Sequence, residues 1–162
     1  MVRRRIYFMT MRKFLILFSI FIFSVAANAQ ANYKTYSNAR YGYSISYPAD
    51  LLKAQGEAAN SDGQVFASDD AEMRVFGTNM LSNGSLAKEY NAVVKEQGAE
   101  NVTYKTLKKN FFVVSGAKDG RIYYQKTMAR QGGSFVTFMI EYDESKRGVY
   151  DKAIERMVKS FK

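Results

Sequence analysis

The sequence predicts an α+β fold, an αβα sandwich around a central, mainly antiparallel sheet of about six strands with two main helices. Three observations carry this. From residue 102 to residue 142, runs rich in β-branched and aromatic residues follow one another, separated by Asp-Gly and Gly-Gly turns that accept positive φ. Two other stretches repeat apolar residues at helical spacing. Several strands also carry apolar groups on both faces, so neither side of the sheet can be left to water.

The elements follow in order. Tyr33–Ser37 is a short strand, and Asn38-Ala39-Arg40-Tyr41-Gly42 turns the chain into a second at Tyr43–Tyr47. Pro48 ends it, because proline has no N–H to give a ladder. Leu51 and Leu52 dip into the core from an otherwise polar segment, Leu52–Gly63. Gln64–Ser68 and Glu72–Phe76 flank Asp69-Asp70-Ala71, a hairpin turn. Ser85 N-caps a helix whose Leu86, Tyr90, Val93 and Val94 form a one-sided stripe, and Gly98 stops it. A meander of Val102–Lys109, Phe111–Gly116, Arg121–Arg130 and Phe135–Tyr142 comes next. Its strand faces read Phe135 and Met139 one way against Val136, Phe138, Ile140 and Tyr142 the other. The final helix spans Arg147–Phe161, with Tyr150, Ile154, Met157, Val158 and Phe161 inward. The two helices, or the Leu52–Gly63 segment, cover the two faces of the sheet.

Residues 1–29 read as a secretory signal peptide rather than as part of the fold. Arg3, Arg4, Arg5, Arg12 and Lys13 make a basic start, Phe14–Val25 is apolar or small, and Ala27-Asn28-Ala29 is a small-x-small cleavage site. The apolar run is about a dozen residues, short of the roughly 20 a bilayer core requires, so no membrane span remains after cleavage. Met11 offers a second start, since Met11-Arg12-Lys13 is itself an n-region. Cleavage after Ala29 leaves residues 30–162 as one domain, periplasmic or secreted, large enough to fold without disulfides. The five basic residues leave with the peptide, so the formal charge drops from +9 to +4 and a nucleic-acid partner loses its electrostatic footing.

Composition removes whole classes of chemistry. The chain has no His and no Cys. Imidazole-based nucleophilic triads, zinc fingers, thiolate clusters and disulfides are therefore out of reach. Carboxylate, lysine, tyrosine or serine chemistry remains, or binding alone, and no cofactor is implied.

The opening Asn38-Ala39-Arg40-Tyr41-Gly42-Tyr43-Ser44-Ile45-Ser46-Tyr47-Pro48 resembles the start of the PsbP-like superfamily, as do Asp62-Gly63-Gln64, Ala71-Glu72-Met73 and the strand from Gly120 to Lys126. The resemblance spans the chain beyond the signal peptide. It implies an αβα sandwich with a central antiparallel sheet, and a binding or assembly role rather than an enzyme. The superfamily includes the extrinsic PsbP subunit of photosystem II and a Ran-binding nuclear-import factor. The photosynthetic members' metal-related residues do not carry over to a chain without histidine, and fold alone does not fix function.

Each candidate site has a plainer reading beside it. Tyr104, Lys105, Lys108, Lys109, Arg121, Tyr123, Tyr124, Lys126 and Arg130 form a basic, aromatic constellation on adjacent strands, suited to an envelope protein or a small anionic ligand. The plainer reading is edge charges that block aggregation, with tyrosines packed under a helix. Arg40 and Tyr41 in the first turn are the second candidate, against a structural turn in which Gly42 takes positive φ. Asp62, Asp69, Asp70 and Glu72 could offer oxygens to calcium, yet their spacing matches no EF-hand and turns favour aspartate in any case. Glu141, Asp143 and Glu144 sit where acids favour a helix start. Glu72 with Glu141 would serve a small envelope hydrolase working with paired carboxylates, the alternative function. Ser115-Gly116-Ala117-Lys118 has Ser–x–x–Lys spacing but lies at a strand end instead of a helix start.

Overall fold

The computed structural model describes residues 32–162. The expected signal peptide, residues 1–29, lies outside them. Nine strands and two helices follow in the order β1 (Tyr33–Asn38), β2 (Tyr43–Pro48), β3 (Lys53–Glu57), β4 (Gly63–Ala67), β5 (Ala71–Asn79), α1 (Leu86–Gln97), β6 (Val102–Leu107), β7 (Phe111–Lys118), β8 (Arg121–Arg130), β9 (Ser134–Asp143) and α2 (Arg147–Ser160). Seven of the strands form one antiparallel sheet in the order β3-β4-β5-β9-β8-β7-β6, while β1 and β2 pair only with each other.

The α+β sandwich is the one the sequence predicts, with two differences in the sheet. The Leu52–Gly63 segment does not cover a face but contributes β3 at the sheet's edge, every residue exposed, with a bulge between Ala54 and Glu57. The first hairpin leaves the main sheet and becomes part of the covering layer. Both follow from burial: Lys53–Glu57 has no apolar side to lay against a core, whereas β2 alternates buried Tyr43, Ile45 and Tyr47 with half-buried serines.

One face of the sheet carries the main core. Met73 and Val75 of β5, Val136, Phe138, Ile140 and Tyr142 of β9 and Ile122 of β8 pack against Ile45 and Tyr47 of β2 and against Tyr150, Ile154 and Met157 of α2. Burying such side chains contributes roughly 1.5–3 kcal/mol each, the dominant favourable contribution to folding. The first hairpin and the last helix meet directly. Ser46 donates its N–H to Ser160 Oγ at 2.9 Å, and Ser44 and Lys162 exchange backbone hydrogen bonds of 2.9 and 3.2 Å. A polar latch closes the far end, where Tyr150 donates to Asp70 at 2.6 Å and Lys146 pairs with the same carboxylate at 3.4 Å.

The opposite face is covered by α1 over β6 and β7, around Val93, Phe112, Val114 and Tyr123. Ser85 caps α1 by accepting from Lys88 N–H at 3.2 Å, and Gly98 ends it at φ +80°. Each helix covers only part of its face, so sheet surface is left open beside both.

Candidate binding surface

Strand parity decides which candidate residues meet. On β6–β8, Tyr104 pairs with Ser115 and Ser115 with Tyr124, while Val113 pairs with Lys126, so Tyr104, Tyr124 and Lys126 share the α2 face. Arg130 lies on that face too, at the strand's far end. Lys105 pairs with Val114, which puts it with Arg121 and Tyr123 on the α1 face. Lys108 and Lys109 occupy the exposed turn between β6 and β7. The basic, aromatic constellation is thus two groups back to back.

The α1-face group is largely spoken for. Tyr123 is buried, its hydroxyl donates to the Asn101 carbonyl at 3.2 Å, and burial raises its pKa. Arg121 pairs with Asp143 at 2.7 Å and lies 4.0 Å from Glu141.

The α2-face group forms a ledge beyond the helix. The Lys126 ammonium sits 5.7 Å from the Phe111 ring centre and 5.9 Å from that of Phe161, and donates to the Val158 carbonyl at 3.4 Å in the last turn of α2. Burial pulls its pKa below the ordinary lysine value. Among the described residues no carboxylate comes within ion-pair reach of it. Tyr124 lies beside it, tilted against Phe138 at 5.9 Å, with its pKa pushed up to about 12 by burial first and by Tyr104 second. Tyr104 closes the ledge at 57% exposure. An unpaired cation between a half-buried ring and a buried one, with a large aromatic in water beside it, is the composition of a protein-contact patch. Half-buried Phe111 and buried Val113 underlie the ledge, and alternation from Lys126 across to Val113 is the signal that reaches them.

Arg40 and Tyr41 lie elsewhere and serve the fold. Arg40 donates to the Asn60 carbonyl and stacks 5.3 Å from the Tyr41 ring centre. The Tyr41 ring lies flat against Gly77, where a Cβ would come within 2.1 Å of Tyr41 Cγ. Gly42 takes φ +63°, as the turn requires. Its carbonyl accepts from Arg130 at 3.2 Å, at the mouth of an open cleft of about 600 Å³ that Ser37, Asn38, Ser44 and Lys162 also line. Arg130 Nε is buried there and has no partner among the described residues.

The acids divide as well. Glu72 and Glu141 are direct cross-strand neighbours on β5 and β9, which puts their Cβ atoms about 5 Å apart. They line a cleft of about 220 Å³ with Arg74, Glu96, Gln97 and Met139. Each is 44% exposed and has an arginine at hand, Arg74 at 2.6 Å and Arg121 at 4.0 Å. That is a solvated ion-pair lattice, without the dry pocket that holds one acid protonated for glycoside chemistry. Asp62 accepts from Asn60 at 2.6 Å within its turn, Asp70 belongs to the latch, and Asp69 is exposed. Among the described residues no three His, Cys, Asp or Glu side chains converge on a possible ion position. Ser115 gives its hydroxyl to the Tyr123 carbonyl at 2.8 Å, so Ser–x–x–Lys spacing brings no nucleophile and base together.

No family model and no curated protein matches the chain. Among solved structures it is similar to the cyanobacterial PsbP, CyanoP, of Synechocystis, with a TM-score of 0.60 and 14% identity over 82% of this chain and 92% of that one. The fold is PsbP-like. The Ran-binding protein Mog1p of Saccharomyces cerevisiae also aligns, at a TM-score of 0.47 and 10% identity over 82% of this chain and 95% of that one. Within the PsbP-like frame of this chain, the ledge sits where α2 stops short of β6 and β7. Among the described residues no helix is long and apolar enough to cross a membrane.

Proposed function

We propose that the chain is a non-catalytic binding or assembly module, exported by residues 1–29 to the periplasm or beyond, that holds a protein partner on the ledge of Tyr104, Phe111, Tyr124 and Lys126. The observation that carries this is Lys126: a half-desolvated ammonium between two rings, with no carboxylate in ion-pair reach among the described residues, beside an exposed tyrosine. Folding already bears the desolvation of that charge, and an acidic partner would supply the missing counter-ion. The PsbP-like fold is compatible with a role of this kind, and the Glu72–Glu141 pair is open to water.

The test is cross-linking in the producing cells followed by capture of the chain. Tyr104→Ala and Lys126→Glu should each cut recovery of a cross-linked partner at least about tenfold while the protein stays folded, and undiminished recovery from both refutes the ledge. Mass spectrometry of the captured chain tests export: an N-terminus at Gln30 supports it, and an intact leader on a chain retained in the cytoplasm refutes it. A second reading has its own observation. Arg130 Nε without a partner favours a small anion in the cleft beside Gly42. Citrate should then raise the melting temperature of the wild type and leave Arg130→Met unmoved; no shift with the wild type excludes it.

A further inference from the structure

The two ends of the seven-stranded sheet are unlike. β3 is interrupted by its bulge and by Gly56 at φ +101°, the devices that spoil an edge as a template. β6 has its irregularity only at the start, between Val102 and Tyr104, and then pairs without interruption with β7 from Tyr104 to Leu107. Lys108 donates its N–H to the Phe111 carbonyl at 2.8 Å, which sets the alternation along the strand. Thr106 and Tyr104 therefore turn their backbone groups toward β7, and Lys105 and Leu107 turn theirs outward. Two N–H and two C=O groups stand along this edge, about 7 Å apart, with no strand of the described residues beyond them. Tyr104 at 57% and Leu107 at 40% exposure stand on the two faces of the same strand.

Along β6 and β7 the charge has one sign. From Asn101 to Lys118 the chain carries Lys105, Lys108, Lys109 and Lys118 and no acid, and Lys126 lies across β7. A second copy pairing edge to edge would bring lysine against lysine, a destabilising arrangement in a sheet. An acidic strand meets complementary charge instead.

We propose that β6 receives an extended acidic segment of another protein as an added strand, held by the outward backbone groups of Lys105 and Leu107 and by the surrounding lysines. This rests on the binding-module reading above and adds the mode and the chemistry of the partner.

The experiment uses the 15N-labelled chain from Gln30 onward and, as probe, a synthetic peptide of four Glu-Val repeats. A peptide of four Lys-Val repeats and free glutamate at equal carboxylate concentration are the comparators. The acidic peptide should slow amide exchange at Lys105 and Leu107 at least about tenfold while Thr106, already bonded to β7, stays unchanged. Neither comparator should do so, and the effect should weaken with salt. Leu107→Pro, which deletes an outward donor and no ladder bond, should abolish the protection, whereas Leu107→Ala should keep it. If the proline variant does not fold, the exchange of the wild-type amides still decides. Peptide-induced shifts on the ledge without slowed exchange at Lys105 and Leu107 would overturn strand addition and leave the ledge reading standing. No response to the acidic peptide at millimolar concentration overturns the proposal, as does an equal response to the basic one. Protection that appears without peptide and grows with protein concentration would make a second copy the occupant and overturn it too.

Discussion

Lys126→Leu separates a lysine kept for a partner from one kept for the fold. The wild-type ammonium makes two cation–π contacts, at 5.7 and 5.9 Å, each worth about 0.5–1 kcal/mol where water has access. It also reaches the Val158 carbonyl at 3.4 Å, a long contact at a helix C-terminus worth about 0.5 kcal/mol. Losing all three costs about 1.5–2.5 kcal/mol. Leucine gives back about 1 kcal/mol from added apolar burial, and the folded state no longer holds a charge partly out of water. The net expectation is a destabilisation below about 1.5 kcal/mol, which in urea moves the midpoint by less than about 1 M. Far-ultraviolet circular dichroism reads the transition. Capture of the cross-linked partner, measured on the same preparation, should fall at least about tenfold. A loss of more than about 3 kcal/mol would mean that Lys126 chiefly fastens the end of α2, and undiminished capture by a stable variant would remove the lysine from the interface. Either result refutes the reasoning from desolvation to binding.

Four further outcomes follow from the core, the ledge and the latch. Thr127 and Thr137 are buried and share a hydrogen bond of 3.0 Å, so either Thr→Val change alone should cost about 1–2 kcal/mol in urea denaturation, while the double change should cost less than the sum. Asp70 binds its proton more weakly folded than unfolded, because Tyr150, Ser68 and Lys146 favour its charge. Its contribution is complete above the ordinary value of 3.8 and is lost as pH falls through the lower folded value, so Tyr150→Phe should flatten the acid limb of a stability–pH curve. Tyr124 and Tyr150, each pushed up to about 12, carry the opposite sign: stability should fall as pH climbs from the ordinary 10 toward 12, which alkaline urea titrations would reveal. Gly77→Ala must drive the Tyr41 ring aside and should cost about 1–3 kcal/mol, with Tyr41→Ala in the same chain recovering part of it by thermal melting.

Much of the architecture is legible in the residues because the signals there are redundant. The α1 stripe has Ser85 and Gly98 as caps, and the meander has glycines at its turns, so local and global preferences agree. Lys53–Glu57 becomes a strand only because β4 offers it a partner; nothing in a polar, glycine-containing pentapeptide distinguishes it from a loop. That β1 and β2 leave the main sheet is equally hidden, since alternation reads the same in whichever sheet a hairpin lies. At the candidate surface, adjacency along β8 is misleading. Tyr123 and Tyr124 are neighbours in sequence and lie on opposite faces, so parity separates Arg121 and Lys105 from Lys126 and Tyr104. Which lysine lacks a counter-ion depends on where α2 ends, and only the folded chain places Phe161 over Lys126.

The junction of first hairpin and last helix also sets a clock. Ser46 and Ser160 touch across 114 residues of chain, and the core that Ile45 and Tyr47 of β2 share with the sheet is completed only when Tyr150, Ile154 and Met157 of α2 join it. Contacts of such span form late, after a large loss of chain entropy, and place this domain among the slower folders of its size, in the range of milliseconds to seconds. A nascent chain emerging from its amino end therefore cannot complete its larger core until nearly all of it has been synthesised. Export as proposed above would meet a chain whose larger core is still open.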